Sequence, residues 1–140
     1  MGEAFTVKNG KEAVSVKLSG IIAQVDKATG LVSFLSSDGN RILQESGRQL
    51  ASSSIQGMDT YCATQEFYSP TDEHLFGLGQ FQDGWLDVRG LTRRLTQVNT
   101  QISIPMFVSN KGYGVLWNNY GLTDFNPADK MIELTPFRKE

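Results

Sequence analysis

A chain of 140 residues with 39 % hydrophobic and 20 % charged side chains is long enough for one domain with a buried core. The net charge of −2, with both signs mixed and no basic stripe, argues against a nucleic-acid partner. No apolar run approaches the roughly 20 residues of a membrane span, so no membrane partner is expected.

Residues 1–12 read as a flexible lead-in. Val14, Val16 and Leu18 alternate with Ser15, Lys17 and Ser19, the period of a half-buried strand. Residues 22–25 form a second apolar run. Turn chemistry at Asp26-Lys27-Ala28-Thr29-Gly30 then leads into a strand over residues 31–35. Asp38-Gly39 tolerates positive φ and predicts a hairpin joining that strand to residues 41–43. Residues 45–59, rich in serine and glycine, read as a long loop. Strands are expected at 60–68 and 74–78, with Ser69-Pro70-Thr71-Asp72 breaking the pattern between them. Residues 81–90 read as an irregular loop pivoting on Gly84 and Gly90. Strands follow at 91–98, 102–108 and 113–117, the last two joined by Asn110-Lys111-Gly112, and a short one at 131–134 precedes Pro136. Helical periodicity is nearly absent. Nine or ten short strands in one unit over residues 1–140 predict an all-β antiparallel sandwich. Phe34, Phe107, Leu116 and Trp117 are its expected core residues.

Reactive chemistry is sparse. One cysteine, Cys62, and one histidine, His74, give no internal disulfide and no metal or cofactor site. Cys62 reads as a small buried hydrophobe on a strand. Asp83 and Asp87 match no calcium loop and read as solvated loop carboxylates. Gly77-Leu78-Gly79 lacks the third glycine and the helix of a dinucleotide motif; tight turning at a strand end explains it better. Glycoside hydrolysis needs two convergent carboxylates. Asp72 and Glu73 are adjacent and would point to opposite faces of a strand, and nothing marks Asp83 and Asp87 as convergent, so no catalytic residue is expected. A mutarotase needs an acid and a base, for which His74 with Glu73 or Asp72 is the only material. Arg89, Arg93 and Arg94 read as a solvated strand face. What remains is residues 75–119, rich in glycine, aromatics and amides, which is the composition of a wall for a neutral ligand such as a sugar. Trp85, between glycines and beside Phe81, offers a rigid indole face.

Phe76-Gly77-Leu78-Gly79-Gln80, followed by Ile104-Pro105-Met106-Phe107-Val108-Ser109-Asn110-Lys111-Gly112-Tyr113-Gly114-Val115-Leu116-Trp117-Asn118-Asn119, resembles the N-terminal domain of glycoside hydrolase family 31, the family of α-glucosidases and α-xylosidases. The hairpin from Val25 to Phe34, with Asp38-Gly39 and Leu43-Gln44-Glu45 behind it, resembles the same domain, and the likeness runs from about Val14 to Asn126. It implies a galactose-mutarotase-like β-sandwich, with further closing strands expected beyond this chain. That sandwich packs on a catalytic (β/α)8 barrel of the same parent chain, and the catalytic aspartates lie in the barrel. The resemblance also implies a loop that helps wall the sugar pocket. By position this is Asn99, Thr100 and Gln101, with Asn99 where many glucosidases carry aspartate. Trp85 and Phe81 join these three as candidate substrate contacts. The wording around Gln80 and Gln97 is nearer the α-xylosidase branch. The expected function is therefore a non-catalytic module of a retaining α-glycosidase, with the barrel and carbohydrate as partners. A periplasmic or extracellular parent is compatible with the sequence. The alternatives are a free-standing carbohydrate-binding module using Trp85, Phe81 and Tyr120, and an aldose mutarotase. A barrel-facing surface left bare predicts self-association.

Overall fold

The computed structural model describes residues 4–128 and 131–135. Among the described residues there are twelve strands: β1 (Thr6–Asn9), β2 (Ala13–Lys17), β3 (Ile21–Asp26), β4 (Val32–Ser36), β5 (Arg41–Ile55), β6 (Met58–Tyr68), β7 (Leu75–Gln80), β8 (Arg93–Leu95), β9 (Ile102–Ser109), β10 (Tyr113–Leu116), β11 (Thr123–Ala128) and β12 (Met131–Thr135). They form a nine-stranded sheet, β1-β2-β3-β4-β5-β6-β12-β11-β8, and a three-stranded sheet, β10-β9-β7. Every pairing is antiparallel. The fold is the expected all-β sandwich.

The predicted meander is present, and β1 adds a strand inside the segment read as a lead-in. At the β3–β4 turn, Asp26 Oδ1 accepts from the Ala28 and Thr29 amides and the Thr29 hydroxyl, while Gly30 supplies φ +72°. The largest correction concerns residues 45–59. They are not a loop. β5 runs to Ile55 and turns through Gln56 and Gly57, both at positive φ, into β6, with residue-by-residue pairing from Arg48↔Gln65 to Ile55↔Met58. Period-two alternation marks a strand only where one face is buried. Leu50, Ile55, Met58 and Tyr61 on this arm are all exposed, so the signal is missing although the strands are long.

Two further expectations change. Of residues 91–98, only Arg93–Leu95 pair as a strand, on β11, because the chain leaves the large sheet there and enters the small one at Ile102. Leu116 is not core. Tyr113, Val115 and Trp117 face inward on the strand period, which sends Leu116 outward at 60 % exposure.

The core lies between the sheets. Leu43 and Phe67 from β5 and β6 meet Leu75, Leu78 and Phe107 from the small sheet, with Val88 from the 81–92 loop and Phe125 from β11. The Phe107 and Phe125 rings, 5.6 Å between centroids and tilted 56°, bridge the layers. Phe34 and Trp117 pack on this cluster as expected. Cys62 is a half-buried thiol on β6.

A carboxylate also ties the layers together. Glu73 is 1 % exposed. The Ser69 hydroxyl donates to its Oε2 and the Ser109 hydroxyl to its Oε1, each at 2.5 Å, and the Tyr113 hydroxyl donates to Oε1 at 2.7 Å. Ser69 follows β6 of the large sheet; Ser109 ends β9 and Tyr113 begins β10 of the small one. Burial, with the Glu73 bond, pushes the Tyr113 phenol far above its ordinary value, so Tyr113 stays a donor.

Candidate functional site at one end of the small sheet

β9 carries Pro105 in the middle strand of its sheet. A proline has no N–H to give. Pro105 O accepts the Trp117 N–H at 2.8 Å, while Trp117 O, without a donor from Pro105, accepts the Asn119 N–H at 2.8 Å. The β9–β10 ladder therefore ends at Leu116, and the chain peels away through residues 117–122. On the other side the β7–β9 ladder bulges, with Ile104, Pro105 and Met106 of β9 set against Leu78 alone of β7. Gly77, Leu78 and Gly79 have φ of +127°, +68° and +103°, and the register jumps between Gly77↔Phe107 and Gly79↔Ser103. The bulge drives Leu78 into the core and brings the glycine backbones against β9.

Gln80 pairs with Ile102, so the loop after β7 and the turn before β9 leave the same end of the small sheet. The turn is tight. Val98 and Gln101 exchange both backbone hydrogen bonds, at 3.2 and 3.1 Å, and place Asn99 and Thr100 at an exposed tip. Gln101 is half-buried and its amide donates back to Thr96 O at 2.9 Å, which stiffens the turn. Behind it lies a cleft of about 160 Å³, lined by Gln97, Ser103, Asn119, Tyr120 and Thr123 among others. Ser103 Oγ is buried without a hydrogen-bond partner among the described residues, and Tyr120 is fully exposed. Gln97, Ser103 and Asn119 carry no reactive group and were not singled out in the sequence; only the crossing of the chain between sheets brings them together.

The 81–92 loop is pinned at its base. Arg93 is buried rather than solvated, which corrects the reading of an open arginine face. Its guanidinium lies 4.2 Å from the Phe81 ring centroid and 2.6 Å from Asp83 Oδ2. Arg94 pairs with the buried Asp124 at 3.1 Å. Phe81 is thus half-buried beneath an arginine and packed on the core, while Trp85, 65 % exposed, and Leu86 project beyond it. At the other end of the loop Asp87 accepts from the Leu75 and Arg89 amides and meets His74 Nδ1 at 2.6 Å. Asp83 and Asp87 therefore each hold the loop with a separate partner. His74 is exposed and meets Asp87, whereas Glu73 turns inward to hydroxyl partners and Asp72 pairs with Lys111, so both carboxylates considered with His74 for a mutarotase are held by other groups. Among the described residues no cluster of metal-ligating side chains occurs.

Burial pushes the Asp87 carboxyl up, but the bonds from His74, Arg89 and Leu75 outweigh it and hold the group below its ordinary value. The folded chain thus favours ionised Asp87. Its contribution is complete above the ordinary carboxylate pKa of about 3.9 and is lost as pH falls through the lowered value. Protection factors of the 81–92 amides, exchange rates corrected for the intrinsic pH dependence, are expected to hold steady from neutral pH to about pH 4 and to fall below it. Loss of protection already at pH 6 would contradict the assignment to Asp87.

The profile of the glycosyl hydrolase 31 N-terminal galactose mutarotase-like domain matches residues 2–126. This chain belongs to that family. It is 30 % identical to a family 31 glucosidase of Pseudescherichia vulneris over 84 % of this chain and 25 % of the relative. It is 45 % identical to an α-xylosidase of Saccharolobus solfataricus over 46 % of this chain and 10 % of the relative. Among solved structures, the family 31 α-xylosidase of Xanthomonas citri superposes with a TM-score of 0.83 and 35 % identity, covering 87 % of this chain and 14 % of that enzyme. A family 31 α-xylosidase from a soil metagenome, complexed with xylose, gives 0.82 and 28 %, over 94 % and 22 %. The chain spans a quarter or less of these relatives. The family 31 domain thus corresponds to one part of α-xylosidase- and glucosidase-like enzymes.

Proposed function

We propose that this family 31 domain is the non-catalytic N-terminal module of a retaining α-glycosidase acting on α-xylosides or α-glucosides. It packs on the catalytic barrel of its own parent chain and lends the 98–101 turn to the sugar pocket. The observation that carries the reading is the turn itself. It is stiffened from within by Gln101 and presents Asn99 and Thr100 to solvent beside a neutral cleft, while the carboxylates around it are committed to structural partners. An amide offers donors and an acceptor to sugar hydroxyls and carries no charge to a reacting centre. Trp85, projecting from the pinned loop, is the second proposed contact, while Phe81 anchors the base of that loop under Arg93 and against the core. Gln101 contributes by holding the tip.

In the parent enzyme, Asn99→Ala is expected to lower kcat/KM about 2- to 12-fold, the cost of one net hydrogen bond of about 0.5–1.5 kcal/mol. Unchanged steady-state kinetics on aryl α-xylosides and α-glucosides would remove Asn99 from the pocket. The 140-residue chain alone should hydrolyse neither.

Exposure of Trp85 and Tyr120 favours a second reading, a carbohydrate-binding module, although Phe81 is covered by Arg93 and adds no free face to such a platform. Sugar binding by the chain that disappears in a Trp85→Ala, Tyr120→Ala variant would support it.

The barrel-facing surface is the outer face of the small sheet. Ile102, Ile104, Met106 and Val108 on β9 and Leu116 on β10 are exposed there, with Met106 paired to Leu116. Without its barrel the chain is expected to self-associate, and Ile104→Lys with Met106→Lys should shift its light-scattering mass toward the monomer. A wild-type mass that stays monomeric at high concentration would refute this.

A further inference from the structure

The outer face of the large sheet carries a groove of about 590 Å³ over β2–β5. Phe34 and Leu43 face the core, so Ser33 and Gln44 beside them face outward. Ser15 pairs with Gln24, Gln24 with Ser33, and Ser33 with Gln44. Four neutral side chains thus stand in one row, one per strand, over roughly 14 Å at a strand spacing of about 4.8 Å. All four line the groove and are half-buried, and none makes a side-chain hydrogen bond to the protein among the described residues.

Charge does not select an ion here. Lys8 and Arg41 at the rim are balanced by Glu12 and Asp26, and Asp26 Oδ1 is already taken by its turn. Two amides and two hydroxyls in register offer donors and acceptors alternately across strands, a pattern that matches vicinal hydroxyls rather than phosphates or carboxylates. An ordinary solvated sheet face carries long charged side chains along such a row. This one is uncharged over its four strands and half-buried, with Lys8 of β1 next in register at its end.

We propose that the Ser15–Gln24–Ser33–Gln44 row is a carbohydrate site that takes a neutral oligosaccharide laid across β2–β5. It is separate from the 98–101 turn, lies on a different sheet, and does not rest on the pocket reading. In a parent glycosidase such a site would hold one part of a glycan while another part enters the pocket.

The test is an NMR amide titration of the 140-residue chain with xylotetraose and with maltotetraose at millimolar concentration. Shifts centred on β2–β5 are expected for at least one of them. Gln24→Ala with Gln44→Ala should weaken binding about tenfold with the dispersed β-sheet spectrum retained. Ser33→Lys, which leaves the backbone pairing intact and places a bulky charge in mid-row, should weaken it at least as much. Asn99→Ala should leave it unchanged. Shifts confined to residues 81–101, no shifts with either sugar, or equal affinity in the Gln24→Ala, Gln44→Ala variant would each overturn the proposal; the first would leave the pocket reading standing.

Discussion

Glu73→Ala is expected to lower the unfolding free energy by about 2–5 kcal/mol, the cost of leaving two buried hydroxyl donors without their acceptor. The carboxylate accepts three hydroxyl donors and is almost wholly excluded from solvent. Removing it strands the Ser69 and Ser109 hydroxyls in places where water has little access, and each unpaired group costs roughly 1–3 kcal/mol. The donors come from both sheets, so the loss falls on the join between layers rather than on one strand. Glu73→Gln keeps an acceptor but turns an amide N–H toward a hydroxyl, and should cost less than the alanine variant. Urea unfolding of the three proteins checks the order. A Glu73→Ala loss below about 1 kcal/mol would mean that the hydroxyls find other partners, and would end the claim that this carboxylate holds the layers together.

Gly79→Ala is the second large effect, at roughly 2–4 kcal/mol from left-handed strain and overpacking combined. A Cβ at this position would lie 2.2 Å from Ile102 O and 3.0 Å from Ile104 N, both rigid backbone, and the residue sits at φ +103°. Neither atom yields as a side chain would. The bulge would open at Gly79↔Ser103 and Gln80↔Ile102, the pairs that set the 81–92 loop beside the 98–101 turn. In the parent enzyme the substitution should therefore raise KM as well as lower stability. At Gly84, where nothing lies near the added Cβ, alanine meets only the strain of φ +75° and should cost less. Equal losses at both positions would refute the close-approach argument.

The same bulge shows how a local motif can be legible in kind and opaque in detail. Two glycines around Leu78 mark tight backbone, and the dinucleotide reading fails on the missing helix. That three successive residues take positive φ, with Leu78 thrust into the core, depends on β9 lying alongside. The Ser-rich part of β5 is the opposite case. Its sequence carries turn formers, and its pairing with β6 overrides them because alternate residues exchange backbone hydrogen bonds along the whole arm. Arg93 reads as a surface residue in isolation; Asp83 and Phe81, ten and twelve positions earlier, make its burial tolerable. The turn at Asn99 was legible through its place before Ile104-Pro105-Met106-Phe107. Its neighbours Gln97, Ser103 and Asn119 were not, since nothing in their types sets them apart from ordinary polar residues.

The sequence by itself determined the all-β class, the turns at Asp26 and Asp38, the strands that alternate over a buried face, and the family, because period and turn chemistry are local properties written into neighbouring residues. Tertiary structure alone decided which polar groups are spent on partners and which stay exposed. Glu73, Asp83 and Asp87 are consumed by partners from distant strands and loops, whereas Asn99, Thr100 and the Ser15–Gln44 row stay open. A side chain's availability depends on what folds against it, and those contacts span up to 40 residues of chain.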